Sequence, residues 1–161
     1  MSIPVYGIAA WSGVGKTTFI SALVRNLKSR GIRVGVLKHD AHDFQLDLEG
    51  KDTFYFSKAG ADVVAIASAN RAAIMENRRV SFNEILSSIN NVDIVLVEGY
   101  KYENIPKIGL YRALSEKPLA GKDFCCIVTD TPIALDLPQF GFDDVDKVAE
   151  FLLERESLKY R

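Results

Sequence analysis

Cysteine is almost absent from this sequence. Only Cys125 and Cys126 occur, side by side in the apolar run "FCCIV". Neighbours on a strand alternate faces, so the pair has neither ordinary bridging geometry nor zinc-ligand spacing and reads as two buried free thiols. Histidine is equally scarce: His39 and His42 are the only two. Neither sign of charge is in excess, with 20 Lys and Arg against 21 Asp and Glu. A net charge of −1 offers no electrostatic footprint for nucleic acid or an acidic membrane. No apolar run is long enough to span a bilayer. The opening "MSIPVYGIAA" lacks a basic region followed by an apolar stretch and cleavage site, so no export signal is readable. Internal repeats, low-complexity tracts and linkers are missing too. These absences leave a cytoplasmic globular chain of 161 residues, expected to form one domain over residues 1–161.

What is present alternates between strand and helix patterns. Val5–Ala10 is a short apolar run that reads as a buried strand. From Lys16 the period becomes helical, with Ile20, Leu23, Val24 and Leu27 on one face and Gly31 placed to end the helix. Ile32–Leu37 returns to strand, completing a βαβ unit whose strands should be parallel. Beyond the polar stretch "KHDAHDFQLDLEGKD", a short helix is expected over Asp52–Ala59, then strands at Val63–Ala67 and Ala72–Met75. Ser81 and Glu84 form a capping box for a helix with Phe82, Ile85, Leu86 and Ile89 inward. Ile94–Val97, Lys107–Tyr111 and Phe124–Val128 read as further strands. Asp143 or Asp144 caps a last helix through Val145, Val148, Ala149 and Leu152. The alternation predicts an α/β fold, a mostly parallel sheet with helices on both faces. Ala72–Met75 and Lys107–Tyr111 lack a crossover helix and are candidates for antiparallel edge strands.

Chemistry concentrates in "AAWSGVGKTT". Gly15-Lys16-Thr17 follows a predicted buried strand and opens an amphipathic helix, the setting a phosphate loop demands. Backbone N–H groups of Ser12, Gly13, Val14 and Gly15 would surround an anion, aided by the positive helix N-terminus. Lys16 would reach the β and γ phosphates, and Thr17 would offer a hydroxyl to Mg²⁺. Ala10 stands where the first glycine of the pattern is usual. It costs little if its φ is negative and about 1 kcal/mol if positive.

Glu98, after the apolar strand Ile94–Val97, is the candidate acid on the Mg²⁺ side. Asp130, just past Phe124–Val128, is a candidate guanine reader, because a carboxylate accepts guanine's N1–H and N2–H₂ and adenine lacks that edge. It reads equally well as a turn aspartate before Thr131-Pro132. His39, Asp40, His42, Asp47, Lys51 and Arg71 are candidate substrate or switch contacts. Arg112 is a weaker anion candidate, a solvated arginine being the default.

The blocks "WSGVGKTT", "KHDAHDF", "DLEGKDTF", "KAGAD", "LVEGYK" and "VTDTP", in that order, resemble the MobB family of molybdopterin-guanine dinucleotide biosynthesis proteins. The resemblance runs from Val5 to about Leu153. It implies a three-layer phosphate-loop NTPase fold that binds GTP with Mg²⁺. It also implies a homodimer that assists a MobA-type guanylyltransferase, with molybdopterin as a further candidate ligand. Phosphate contacts carry over to Gly13, Gly15, Lys16, Thr17 and Thr18, the metal side to Thr17 and Glu98, and the base to Asp130. Two departures stand out. Ala10 replaces a common glycine, and Trp11 stands where relatives in the wider class often carry a second lysine. With less charge for the transition state, and no readable arginine finger or water-positioning glutamine, poor intrinsic GTP hydrolysis is predicted. The rival reading is an ATP-dependent small-molecule kinase or ligase on the same fold.

Overall fold

The structure, a computed structural model, describes residues 3–40, 47–115 and 117–158. Its contacts divide into two compact units, one of residues 1–39 with 86–161 and one of residues 40–85.

The first unit is built on a six-stranded sheet. Its strands are β1 (Val5–Ala9), β2 (Val34–Lys38), β5 (Ile94–Glu98), β6 (Lys107–Tyr111), β7 (Phe124–Thr129) and β8 (Gln139–Phe140), in the order β2-β5-β1-β6-β7-β8. Every pairing in it is parallel. β3 (Val63–Ala67) and β4 (Ala72–Glu76) form a separate antiparallel pair in the second unit. The expectation for Ala72–Met75 is therefore half met, since the strand is antiparallel but belongs to its own hairpin. The expectation for Lys107–Tyr111 is overturned. β6 is parallel and internal, lying between β1 and β7.

Helix α1 (Lys16–Ser29) buries Phe19, Ile20, Leu23 and Leu27, and α4 (Val145–Arg155) buries Val148, Ala149, Leu152 and Leu153. Both pack with Tyr6, Ile8, Ile94, Leu96, Ile108 and Leu110 into one core on one face of the sheet. The end of α1 is set by Gly31 at φ +79°, whose N–H donates to Lys28 O while Ile32 N–H reaches Leu27 O. This is a Schellman ending, and Ile32 and Leu27 are both buried.

On the opposite face Gly7 leaves room for the chain that enters β6. At Gly7 a Cβ would stand 3.0 Å from Lys107 Cγ and 3.4 Å from Ile105 Cδ1. The turn-rich segment from Gly99 to Pro106, with Gly99 at φ +89° and Tyr100 at φ +45°, joins β5 to β6 without a crossover helix. With Gly7 clear, that short link lets β6 lie parallel to β1 with no helix in front of it. At the β2 end, Ile89, just after α3 (Phe82–Ser88), approaches Gly35.

Cys125 and Cys126 are both buried in the helix-side core, not on alternate faces. A register shift between Lys107 and Ile108 inserts Cys125 as an extra residue in β7, which undoes the alternation.

In the second unit, α2 (Asp52–Lys58) is followed by Gly60 at φ +99°. Ser81 and Glu84 form the expected capping box: Ser81 N–H donates to Glu84 Oε2 at 3.0 Å and Glu84 N–H to Ser81 Oγ at 3.3 Å. Ser81's hydroxyl, its N–H and the Arg78 guanidinium hold the Glu84 carboxyl down to about 2.

Candidate functional site

β1 carries the chain to the carboxyl edge of the sheet, and residues 10–15 link it to α1. Val14 is buried in the core and anchors the loop from beneath. Gly13 and Gly15 have φ of +83° and +103°, and nothing lies within 4 Å of where a Cβ on either would stand. Glycine is thus required here by backbone angle and not by crowding, and the space beyond is open, as an anion cradle needs. Ala10 is not among the residues with positive φ. Its departure from glycine carries no backbone strain, which resolves the conditional in favour of an undistorted loop.

Lys16 Nζ donates to Ala10 O at 3.3 Å and Trp11 O at 3.2 Å. The ammonium is folded back over the start of the loop. Ser12, Thr17 and Thr18 are exposed. Trp11 Nε1 donates to Pro118 O at 2.6 Å, and Lys101 and Lys117 bring their ammonium groups to 5.5 and 5.0 Å from its ring centroid. The position that lacks a lysine is therefore attended by two others, which no local sequence signal marked.

Glu98 ends β5, in register with Ile8 of β1 and Lys38 of β2. It shares the sheet face of Ile8, and its carboxylate has no hydrogen bond or ion pair among the described residues. Gly99 follows at φ +89°, with His39 Cβ only 2.8 Å from where its own Cβ would be. His39 N–H donates to Glu98 O at 2.8 Å, and its ring lies on Tyr100 at a centroid separation of 4.4 Å. His39 thus joins Glu98 at the sheet edge, and Gly99 and Tyr100 are site neighbours that sequence reasoning missed.

Asp130 follows β7. Its Oδ1 accepts the Ala113 N–H at 3.0 Å, and its Oδ2 lies 3.6 Å from Arg112 Nη1. Arg112, first read as a default surface residue, donates from Nε to Val14 O at 3.1 Å and stacks on Phe142, with Cζ 3.8 Å from the ring centroid.

Asp47, Lys51 and Arg71 belong to the second unit, which begins at Asp40. Asp47 Oδ1 accepts the Leu48 N–H, Lys51 is the N-cap of α2, and Arg71 sits in the β3–β4 turn, where its carbonyl accepts the Ser68 N–H. His42 lies outside the described residues.

No group of three or more His, Cys, Asp or Glu side chains among the described residues is arranged to hold a metal. A hydroxyl and a single carboxylate suit Mg²⁺ in a phosphate complex, because Mg²⁺ keeps several waters and takes its remaining ligands from phosphate oxygens. Thr17 and Glu98 fit that donor set, and the open cradle and Lys16 suit the phosphates.

The family model described as molybdopterin guanine dinucleotide synthesis protein B matches residues 5–130. The chain belongs to the MobB family. The matched stretch contains every candidate site residue, from Ser12 to Asp130. A molybdopterin-guanine dinucleotide biosynthesis adapter protein of Escherichia coli (strain K12) is 36% identical over 162 residues, covering 94% of this chain and 93% of that protein. A protein of the same description from Haemophilus influenzae is 38% identical, covering 93% and 88%. The crystal structure of Bacillus subtilis MobB superposes with a TM-score of 0.78 at 26% identity, over 95% of this chain and 98% of the other. The MobB fold thus accounts for nearly the whole chain, the hairpin unit included. No helix among the described residues is long and apolar enough to cross a membrane.

Proposed function

We propose that this chain is a cytoplasmic GTP-binding adapter in molybdopterin guanine dinucleotide synthesis, assisting a MobA-type guanylyltransferase. The observation that carries the nucleotide half is the loop itself: two left-handed glycines with open space beyond them, ahead of Lys16 at the start of α1. The amides of Ser12, Gly13, Val14 and Gly15 and the Lys16 ammonium hold the phosphates. Thr17 and Glu98 hold the Mg²⁺ side, and Thr18 supports the first turn. Bound Mg²⁺ would neutralise phosphate charge. An ionised carboxylate has about four acceptor sites. The contacts of Asp130 with Ala113 and Arg112 leave acceptor capacity for guanine. His39 beside Glu98 supports a switch role for the segment that follows it. Trp11 in place of a lysine supports slow hydrolysis.

A titration with Mg²⁺ tests this reading. GTP is expected to displace a fluorescent guanine nucleotide about tenfold or more better than ATP, and Asp130→Asn is expected to erase the preference. Equal competition by ATP would favour the kinase or ligase reading.

The second unit supports a homodimer. Val63, Ala65 and Ala67 of β3 share a face with Ala72, Ile74 and Glu76 of β4, an exposed face that is apolar except at Glu76, with Ile74 at 71%. A two-stranded sheet is marginal alone, and two copies of one apolar face can close about a two-fold axis. Ile74→Asp is expected to convert a dimer to a monomer in sedimentation equilibrium. A parent protein that is already monomeric at tens of micromolar would overturn the assignment.

A further inference from the structure

Arg112 does three things at once. Its Nε donates to the Val14 carbonyl at 3.1 Å, its guanidinium plane lies on Phe142, and Asp130 stands 3.6 Å from its Nη1. Each contact is fixed from another direction. Phe142 meets Phe19 of α1 edge-on at 6.4 Å, and Asp130 is tied to the Ala113 N–H. The guanidinium is therefore held in place before any ligand arrives.

The Val14 carbonyl shares a peptide unit with the Gly15 N–H. That unit is trans, since the described chain contains no cis peptide bond. In a planar trans peptide the C=O and N–H point in opposite directions. A cation gripping the carbonyl on one side thereby aims the N–H to the other. It also draws electron density toward the oxygen, which makes the N–H a stronger donor. Gly15, at φ +103° with no side chain, has little local preference to hold its peptide at that angle, so an external grip is needed.

We propose that Arg112 is a positioning residue for the phosphate loop: by holding the Val14 carbonyl it presents the Gly15 N–H to the phosphates, with Phe142 and Asp130 as its braces. This rests on the triphosphate-binding reading above. It extends that reading to a residue that touches no phosphate, and it gives Asp130 a second task, acting through Arg112.

The test compares Arg112→Gln with the parent for three probes in the presence of Mg²⁺: GTP, ATP and inorganic tripolyphosphate. The proposal expects each probe to weaken by the same factor, about tenfold, because the defect lies in the loop they share. Arg112→Lys is expected to recover only part of the loss, since an ammonium keeps the charge but loses the planar stack on Phe142. Loss confined to GTP would make Arg112 a base contact and overturn the proposal, as would unchanged binding of all three. Should Arg112→Gln fold poorly, Phe142→Leu removes one brace and keeps the arginine, and a smaller, equal loss is expected. The Gly15 amide proton in ligand-free protein gives a separate readout. It should move upfield in both variants, and an unmoved resonance would overturn the proposal. Failure of the parent to bind any probe would instead defeat the triphosphate reading, leaving the amide shift to judge the grip alone.

Discussion

Lys16→Ala is expected to weaken Mg²⁺-dependent GTP binding by about a hundredfold or more while leaving the fold intact. A charge-assisted hydrogen bond contributes about 1.5–3 kcal/mol, and an ammonium bridging two phosphates makes more than one. At about 1.4 kcal/mol per tenfold, two such bonds reach a hundredfold or beyond. Among the described residues Lys16 Nζ makes two hydrogen bonds, at 3.3 and 3.2 Å, to loop carbonyls that water can replace. The melting temperature without nucleotide should therefore hardly move. What should vanish is the upward shift that GTP is expected to cause in the parent by binding only the folded state. Lys16→Arg keeps the charge but substitutes a planar fork for a compact one, so it should bind with intermediate affinity. Parent-like affinity for Lys16→Ala would mean that the loop does not hold a triphosphate.

The parts of this site that could be read in the sequence share one property: their chemistry is local. The phosphate loop is declared by a strand, two glycines, a lysine and a helix within a short stretch. The Ser81–Glu84 box and the Gly31 ending are likewise written within a few residues of where they act. What escaped notice is assembled from distant segments. Arg112 meets Val14 across 98 residues, and no pattern around "LYRAL" distinguishes it from a solvated arginine. Trp11 gains its lysine neighbours from segments near positions 101 and 117. The place of β6 escaped for a related reason. A parallel strand normally needs a crossover helix, and here a short run of turns suffices because Gly7 clears its path. Which strands share a sheet is also non-local. β3 and β4 had ordinary strand patterns, and nothing in them said that they would pair only with each other. Asp130 reads in the sequence as base reader or turn residue, and its carboxylate instead bonds across to Ala113, 17 residues away, and to Arg112 beside it, with acceptor capacity to spare.

The largest effect on stability is expected from Lys107→Ala. Lys107 lies within β6 and is 1% exposed. Its stem runs across Gly7, and its Nζ donates to Glu103 O at 2.6 Å and Ile105 O at 3.1 Å. It thereby staples the crossover that begins beside Glu98. The ion pair with Asp123 is the lesser part, at 3.9 Å to a carboxylate that is 40% exposed. A pair that long and that wet is worth little. Truncation to alanine removes buried methylenes at about 0.8 kcal/mol each and leaves carbonyl acceptors short of a donor, at about 1–3 kcal/mol apiece. Together these predict a loss of about 4–8 kcal/mol, or a melting temperature lower by about 10–30 °C for a chain of this size. Lys107→Met separates the two contributions, since it keeps the stem and drops the donor, and it should fall about midway. Asp123→Asn should cost little. If Asp123→Asn instead proved as damaging as Lys107→Ala in thermal unfolding, the ion pair and not the carbonyl staple would be what holds the crossover. The same staple bears on function. Residues 99–106 continue directly from Glu98, so Lys107→Met should also weaken Mg²⁺-dependent binding more than Mg²⁺-free binding, a difference that general loss of stability would not produce.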